Sequence, residues 1–294
     1  MAQGEKEQDL KIGYISRRKI THIIKEGAAQ GANAMSFFYK EKKQWFSPQL
    51  LDEEIIEFKK DCLELKIYPD FILPHGDLKA NLGNEKNRIM SIKSLVDEIL
   101  RTHKLGLNKL NIHPGSSCGQ TSKDTAISNI ASGINEVLAL TRWTDVQIIL
   151  ENSCGQGNMV AGNMLELAQI INLISDKTRI GICLDTCHLH AFGYNMNTGE
   201  GLEKSIKEVK QHIGMKYLKG IHLNDSIGEC GSKIDRHQHL GEGTIGEAGL
   251  TNFLRQDFIK GIPIILESPQ TEPNPITRWK EEIILARNWA KTNN

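Results

Sequence analysis

The sequence predicts a single TIM-type (β/α)8 barrel, an α/β fold whose active site lies at the C-terminal face of the strands. Three observations predict it. Eight short Ile/Leu/Val-rich runs alternate with longer segments of helical period, the pattern of parallel strands joined by crossover helices. The runs start about 20 to 45 residues apart, which leaves room for one strand, one helix and two loops in each unit. The 294 residues suit one α/β barrel, and no linker, low-complexity tract or charge block divides them. A doubly wound open sheet is the competing arrangement. It rarely needs eight successive strands, and no Gly-x-Gly-x-x-Gly follows the first run.

The strands are expected at Ile12–Ser16, Ala34–Phe38, Asp70–His75, Lys109–His113, Val146–Glu151, Ile180–Asp185, Leu218–Asn224 and Ile262–Glu267. They read as nearly continuous apolar runs because strands of a parallel sheet are buried on both faces. A helix is expected over Asn87–His103, where Ile89, Ile92, Leu95, Val96 and Ile99 keep i, i+3, i+4 spacing and Gly106 follows as a stop. Ile127, Ile130, Ile134, Val137 and Leu138 repeat that period in the next unit. Residues 1–10 are polar and read as a flexible tail, leaving 11–290 as one barrel domain.

Lys plus Arg and Asp plus Glu both number 36, so the chain carries no net field for holding nucleic acid by bulk charge. Any nucleic-acid site must be local. Six scattered cysteines and no secretory leader point to free thiols in a reducing compartment. No apolar run approaches the roughly 18 residues of a membrane span. The expectation is a soluble, intracellular protein, cytoplasmic in a bacterium and nuclear or in a viral factory otherwise.

In a parallel barrel the C-terminal strand ends converge on one face. Here six consecutive runs end in a carboxylate or an imidazole: His75, His113, Glu151, Asp185, His222 and Glu267. One such residue is usually structural, but six in register would be costly to bury unless a cation sat among them. Nitrogen and oxygen donors without thiolate suit zinc or manganese better than magnesium or calcium. His188, Asp235 and His237 bring the count to nine, more than two four-coordinate ions can use. Spacing does not separate His188 from His190 or His237 from His239. His22, His103 and His212 fall in helical segments and default to surface or packing roles.

The motifs Asn-Ile-His-Pro-Gly-Ser (from Asn111), Leu-Glu-Asn-x-x-Gly-Gln-Gly (Leu150 to Gly157), Leu-Asp-Thr-Cys-His (Leu184 to His188), His-Leu-Asn-Asp-Ser (His222 to Ser226), Asp-Arg-His (Asp235 to His237) and Ile-Leu-Glu-Ser (ending at Ser268) closely resemble those of the endonuclease IV family of abasic-site DNA repair enzymes. The resemblance spans about residues 12 to 290, in order. It implies three Zn2+ per chain, with Mn2+ as an alternative at one site. His75, His113 and Glu151 would hold the first; Glu151 would bridge to a second shared with Asp185, His222 and Glu267; His188, Asp235 and His237 would hold the third. It implies metal-assisted hydrolysis centred on Glu151 and Glu267, 5′ to an abasic site in double-stranded DNA, leaving a 3′-hydroxyl, and removal of 3′-blocking groups. A monomer that acts on DNA and no membrane is implied, and His190 and His239 become supporting residues.

Two segments depart from the family. Gly13-Tyr14-Ile15-Ser16 is followed by Arg17-Arg18-Lys19 where a glycine-rich turn is usual, and Leu78 stands where a tyrosine probes the DNA. Tyr39 to Trp45 resembles the other DNA-probing loop, with Lys43 in place of an arginine. Lys43, Gln44 and Leu78 are the candidate wedges, Lys40, Lys42 and Arg236 the candidate phosphate partners, and Gln156 a neighbour of the extruded sugar. Two other readings compete: a metal-dependent sugar isomerase or epimerase on a similar barrel, which needs no third metal cluster, and a binder of damaged DNA that does not cut it.

Overall fold

The computed structural model describes residues 10–40, 44–269 and 275–291; the expected tail, apart from Leu10, lies outside them. Along the chain come β1 (Ile12–Ser16), α1 (Ile20–Ala29), β2 (Ser36–Phe37), α2 (Asp52–Glu64), α3 (Arg88–Lys104), β3 (Lys109–Ile112), α4 (Lys123–Leu140), β4 (Gln147–Glu151), α5 (Met164–Leu173), β5 (Ile180–Asp185), α6 (Thr186–Phe192), α7 (Gly199–Glu208), β6 (Leu218–His222), β7 (Asp225–Ser226), β8 (His237–Gln238), α8 (Gly246–Leu254), β9 (Ile264–Leu266) and α9 (Pro275–Ala290). Seven strands form one parallel sheet in the order β2-β1-β9-β6-β5-β4-β3, and β7 with β8 makes a separate antiparallel ribbon. The fold is a TIM barrel.

The expected strand at Asp70–His75 is corrected by the structure. Its start is a 3-10 turn over Pro69–Phe71, and the rest makes isolated bridges rather than a ladder. The segment nevertheless closes the ring between β2 and β3. Leu73 N and His75 N donate to the carbonyls of Met35 and Phe37 (2.9 Å each), while Asn111 N donates to Pro74 O (2.8 Å) and Gly76 N to Asn111 O (2.7 Å). Pro74 has no N–H to offer β3, so one rung of the ladder is missing.

Alternation along the strands sorts side chains into two layers. Ile148 and Leu150 of β4, and Ile180, Ile182 and Leu184 of β5, face outward into the large core beneath the helices. Ile15, Ala34, Leu73, Ile149, Cys183 and Ile265 face inward and fill the barrel. Gly220 makes room for this filling, since a Cβ there would lie 2.4 Å from a methyl of Leu73. The inward residue one step further along most strands is a carboxylate or an imidazole, so the alternation that packs the barrel also builds its mouth.

Candidate metal centre

The six strand-end residues come together. His75, His113 and Glu151 form one group, Glu151, Asp185, His222 and Glu267 a second, and Asp185, His188 and His237 a third; in each, ligand atoms lie within 4.8 Å of one another. Asp235 completes the third group, with Oδ1 3.2 Å from His188 Nε2 and 3.5 Å from His237 Nε2. Glu151 Oε2 lies 3.3 Å from both His75 Nε2 and His222 Nδ1, and so joins the first two groups. His222 Nδ1 is also 3.3 Å from Glu267 Oε2.

Backbone carbonyls aim the imidazoles. Nδ1 lies 2.8 Å from Gly76 O in His75, 2.9 Å from Asn152 O in His188 and 3.2 Å from Glu267 O in His237. A carbonyl only accepts, so each Nδ1 carries a proton, and in the neutral ring each Nε2 lone pair faces the centre, as metal-binding histidines require. Asparagines fix the carboxylates: Asn111 Nδ2 donates to Glu151 Oε2 (2.6 Å) and Asn224 Nδ2 to Asp185 Oδ2 (2.7 Å), while Asn224 Oδ1 accepts from Glu267 N (2.9 Å). The sequence reasoning missed these asparagines. Their signal was available, since Asn111 and Asn224 stand two residues from His113 and His222.

His188 lies on the short helix α6. Asp185 caps α6 by accepting from His188 N at 2.8 Å, so the cap fixes the relation between two candidate ligands. His190, two positions on and therefore about 200° around the helix, points away, and its Nδ1 accepts from Met196 N. His239 likewise turns from the centre, with Nδ1 3.1 Å from Glu282 Oε1.

The electrostatics match a cation site. Burial alone would push Glu151 up, but the charges of His222 and His113 outweigh it and hold its carboxyl well below the usual range. Glu267 is held at about 2 against burial, chiefly by His222, and Asp235 lower still by His188. Burial pushes Asp185 up and drops His113 to about 4. His188 goes well above its ordinary value: burial opposes this, but Asp185, Asp235 and Glu151 prevail. Buried Glu151 Oε1, His113 Nδ1, both nitrogens of His222 and His237 Nε2 make no well-aimed hydrogen bond within the protein. Orphaned donor atoms of nitrogen and oxygen type, without thiolate, fit zinc.

The expected DNA contacts are less uniform. Leu78 is 58% exposed, and Gln44, Gln156 and Arg236 are exposed too. Lys79 Nζ stands 4.4 Å from the centroid of Trp45 and so joins the two probing loops. Lys42 and Lys43 lie outside the described residues. Lys40 is a correction. Its side chain is 1% exposed, and Nζ donates to Ser94 Oγ (2.7 Å) and O (3.0 Å) and pairs with Glu98 (3.3 Å), so it faces the protein interior and not a phosphate. A charge in a polar run gives no hint of this, because the carboxylate partner lies a full unit away on α3.

All six cysteines are free, as expected, and no helix among the described residues is long and apolar enough to cross a membrane. Residues 24–289 match the family described as xylose isomerase-like TIM barrel. A probable endonuclease 4 of Buchnera aphidicola is 40% identical over 262 residues, 88% of this chain and 91% of the relative. The apurinic-apyrimidinic endonuclease 1 of Plasmodium falciparum is 40% identical over 259 residues, 84% of this chain and 43% of that longer protein. Endonuclease IV from Thermus thermophilus superposes with a TM-score of 0.82 at 27% identity, covering 95% of this chain and 98% of the other. With the motifs, the barrel and these relatives in agreement, the chain belongs to the endonuclease IV family.

Proposed function

We propose that this protein is a zinc-dependent DNA repair endonuclease that hydrolyses the phosphodiester 5′ to abasic sites in double-stranded DNA, leaves a 3′-hydroxyl and removes 3′-blocking groups by the same route. The observation that carries the reading is the convergence of nine side chains in three linked groups, with Glu151 common to two of them. His75, His113 and Glu151 would hold one zinc, Glu151, Asp185, His222 and Glu267 a second, and His188, Asp235 and His237 a third. When bound, the zinc ions supply an acidified water and neutralise charge on the departing oxygen. Residues 11–290 act as the one hydrolase domain, a monomer.

The chain's own residues supply position. Asn111 and Asn224 aim the carboxylates of Glu151 and Asp185, and the three carbonyl-bound histidines keep their tautomers. A nucleotide without a base is the least costly to extrude from a duplex. Gln44, Leu78 and Lys43 are placed in the reading as the wedges that fill the gap, Gln156 as the neighbour of the extruded sugar, and Arg236 and Lys42 as phosphate contacts.

The test is incision of an end-labelled duplex that carries one abasic analogue resistant to β-elimination, by the parent and by Glu267→Gln, with bound metal quantified in both. Cutting 5′ to the lesion by the parent, loss of cutting in the variant and close to three metals per parent chain are expected. One ion per chain without incision would favour a sugar isomerase or epimerase. A fully metallated parent that binds but never nicks would be a damage-binding protein.

A further inference from the structure

The alternation that fills the barrel assigns every one of its eight strand positions an inward side chain at the mouth. Stepping by two from the inward residues Leu73, Ile149, Cys183 and Ile265 reaches His75, Glu151, Asp185 and Glu267. Stepping likewise from Asn111 and Gly220 reaches His113 and His222. Two positions remain. From Ala34 two such steps lead through Ser36 to Phe38, and from Ile15, which pairs with Ser36, one step leads to Arg17 beside Phe38, a residue the family motif does not anticipate.

Arg17 is held in place. Its guanidinium carbon lies 4.3 Å from the ring centroid of Phe38, whose ring centre is 5.0 Å from that of His75. Since β1 sits between β2 and β9, Arg17 has the Phe38 side of the mouth on one flank and Glu267 on the other. The field of Glu267 reaches it there, although burial is the larger influence on the guanidinium. The next residue, Arg18, is committed to Glu26 at 3.4 Å, whereas Arg17 has no ion-pair partner among the described residues. Arg17 is exposed, so its guanidinium edge is open to solvent, while its plane is steadied on a ring that itself packs against a candidate ligand. An arginine serving only to offset the ligand carboxylates would be expected to touch one.

We propose that Arg17 is a phosphate-binding residue of the DNA site: the ring of strand ends holds one guanidinium, steadied on Phe38 and free of carboxylate, beside the ligand groups where a backbone phosphate passes. The inference rests on the function proposed above and names a contact specific to this chain. A guanidinium presents paired N–H donors that match phosphate oxygens, and stacking on a ring leaves its edge available for them. Lysine at this position would keep the charge and lose the paired geometry.

The experiment uses the zinc-loaded protein and a nicked duplex with the abasic analogue and its 5′-phosphate, the product of the proposed reaction, which is not cut again. Affinity is measured by fluorescence anisotropy across a salt series for the parent, Arg17→Ala, Arg17→Lys and Lys216→Ala, with bound metal and melting temperature recorded for each. Lys216 is exposed at the opposite end of the barrel, just before β6, and lies 5.2 Å from the ring centroid of Tyr217, so its loss is a matched control. Arg17→Ala is expected to bind about 5- to 20-fold more weakly at low salt, with a log affinity against log salt slope shallower by about 0.9. Arg17→Lys should restore the slope but only part of the affinity, and Lys216→Ala should match the parent. An unchanged slope in Arg17→Ala with parental metal content would overturn the inference alone, as would loss of bound metal, which would assign the guanidinium to the ligands. A parent that binds no such duplex would overturn the functional reading and this inference together.

Discussion

Asn224 uses both ends of its side-chain amide, donating to Asp185 and accepting from the backbone N–H of Glu267, and so it links two candidate ligands on neighbouring strands. Asn224→Ala would leave two buried polar groups without partners, at about 1–3 kcal/mol each. We expect a loss of stability of that order in denaturant titration and a 10- to 100-fold fall in metal affinity, read by competition with a chelator. Parental metal retention would show that Asn224 packs the site without orienting it. Glu98 offers a second residue-scale test. Burial raises its carboxyl from 4.5 to about 7 despite the charge of Lys40. A folded state that binds the proton more tightly than the unfolded state is favoured below the unfolded value, so this group's contribution is lost as the pH climbs from about 4.5 to about 7. Glu98→Gln should flatten the stability profile across that window, and a profile as steep as the parent's would remove Glu98 as its source.

At the scale of elements, the same alternation that made the strands legible made the ligands legible. The expected strands agree with β1 and β5 at both ends, and six of the nine candidate ligands are the inward residues at or just beyond a strand end. Pro74 hid the irregular closure of the ring, because the apolar run around it reads as a strand while its missing N–H breaks the ladder. The burial of Lys40 was hidden for a different reason: its partners on α3 are distant in sequence, and no period links them. His188 and His190 could not be separated without the short helix α6, whose start is set by the Asp185 cap. That cap gives Asp185 two separable duties. Asp185→Asn should keep the cap through its amide oxygen yet abolish incision by removing a charged ligand; this variant and Asp185→Ala both cost Asn224 Nδ2 its acceptor, so the difference between them reports the cap. Asp185→Ala should lose incision too and a further ~1 kcal/mol of stability in denaturant titration. Equal stability of the two variants would mean the cap contributes nothing measurable.

For the whole molecule, a net charge of zero conceals a concentrated arrangement in which four carboxylates and five imidazoles share one end of the barrel. Three divalent ions there would make the mouth positive while the chain itself sums to zero, which reconciles the composition with a DNA partner. The arrangement has a consequence for stability. Without metal, His75, His188 and His222 have raised proton affinity: burial opposes it in each, and the neighbouring carboxylates prevail, joined at His222 by the Cys183 sulfur. Groups raised in the folded state stabilise it fully below their unfolded value of about 6.5 and cease to do so as the pH rises through the folded value. Metal binding runs the other way, because the ligands must be unprotonated to coordinate. The gap in melting temperature between zinc-loaded and chelator-stripped protein should therefore widen from pH 6 to pH 9. Protons partly replace the metal at the lower pH, while at the higher pH four carboxylates face one another with less compensation. Paired melting curves at the two pH values test this directly: a gap that stays constant or narrows would mean that the nine side chains are not a shared site for protons and metal, and that the barrel's stability is set by its apolar layers alone.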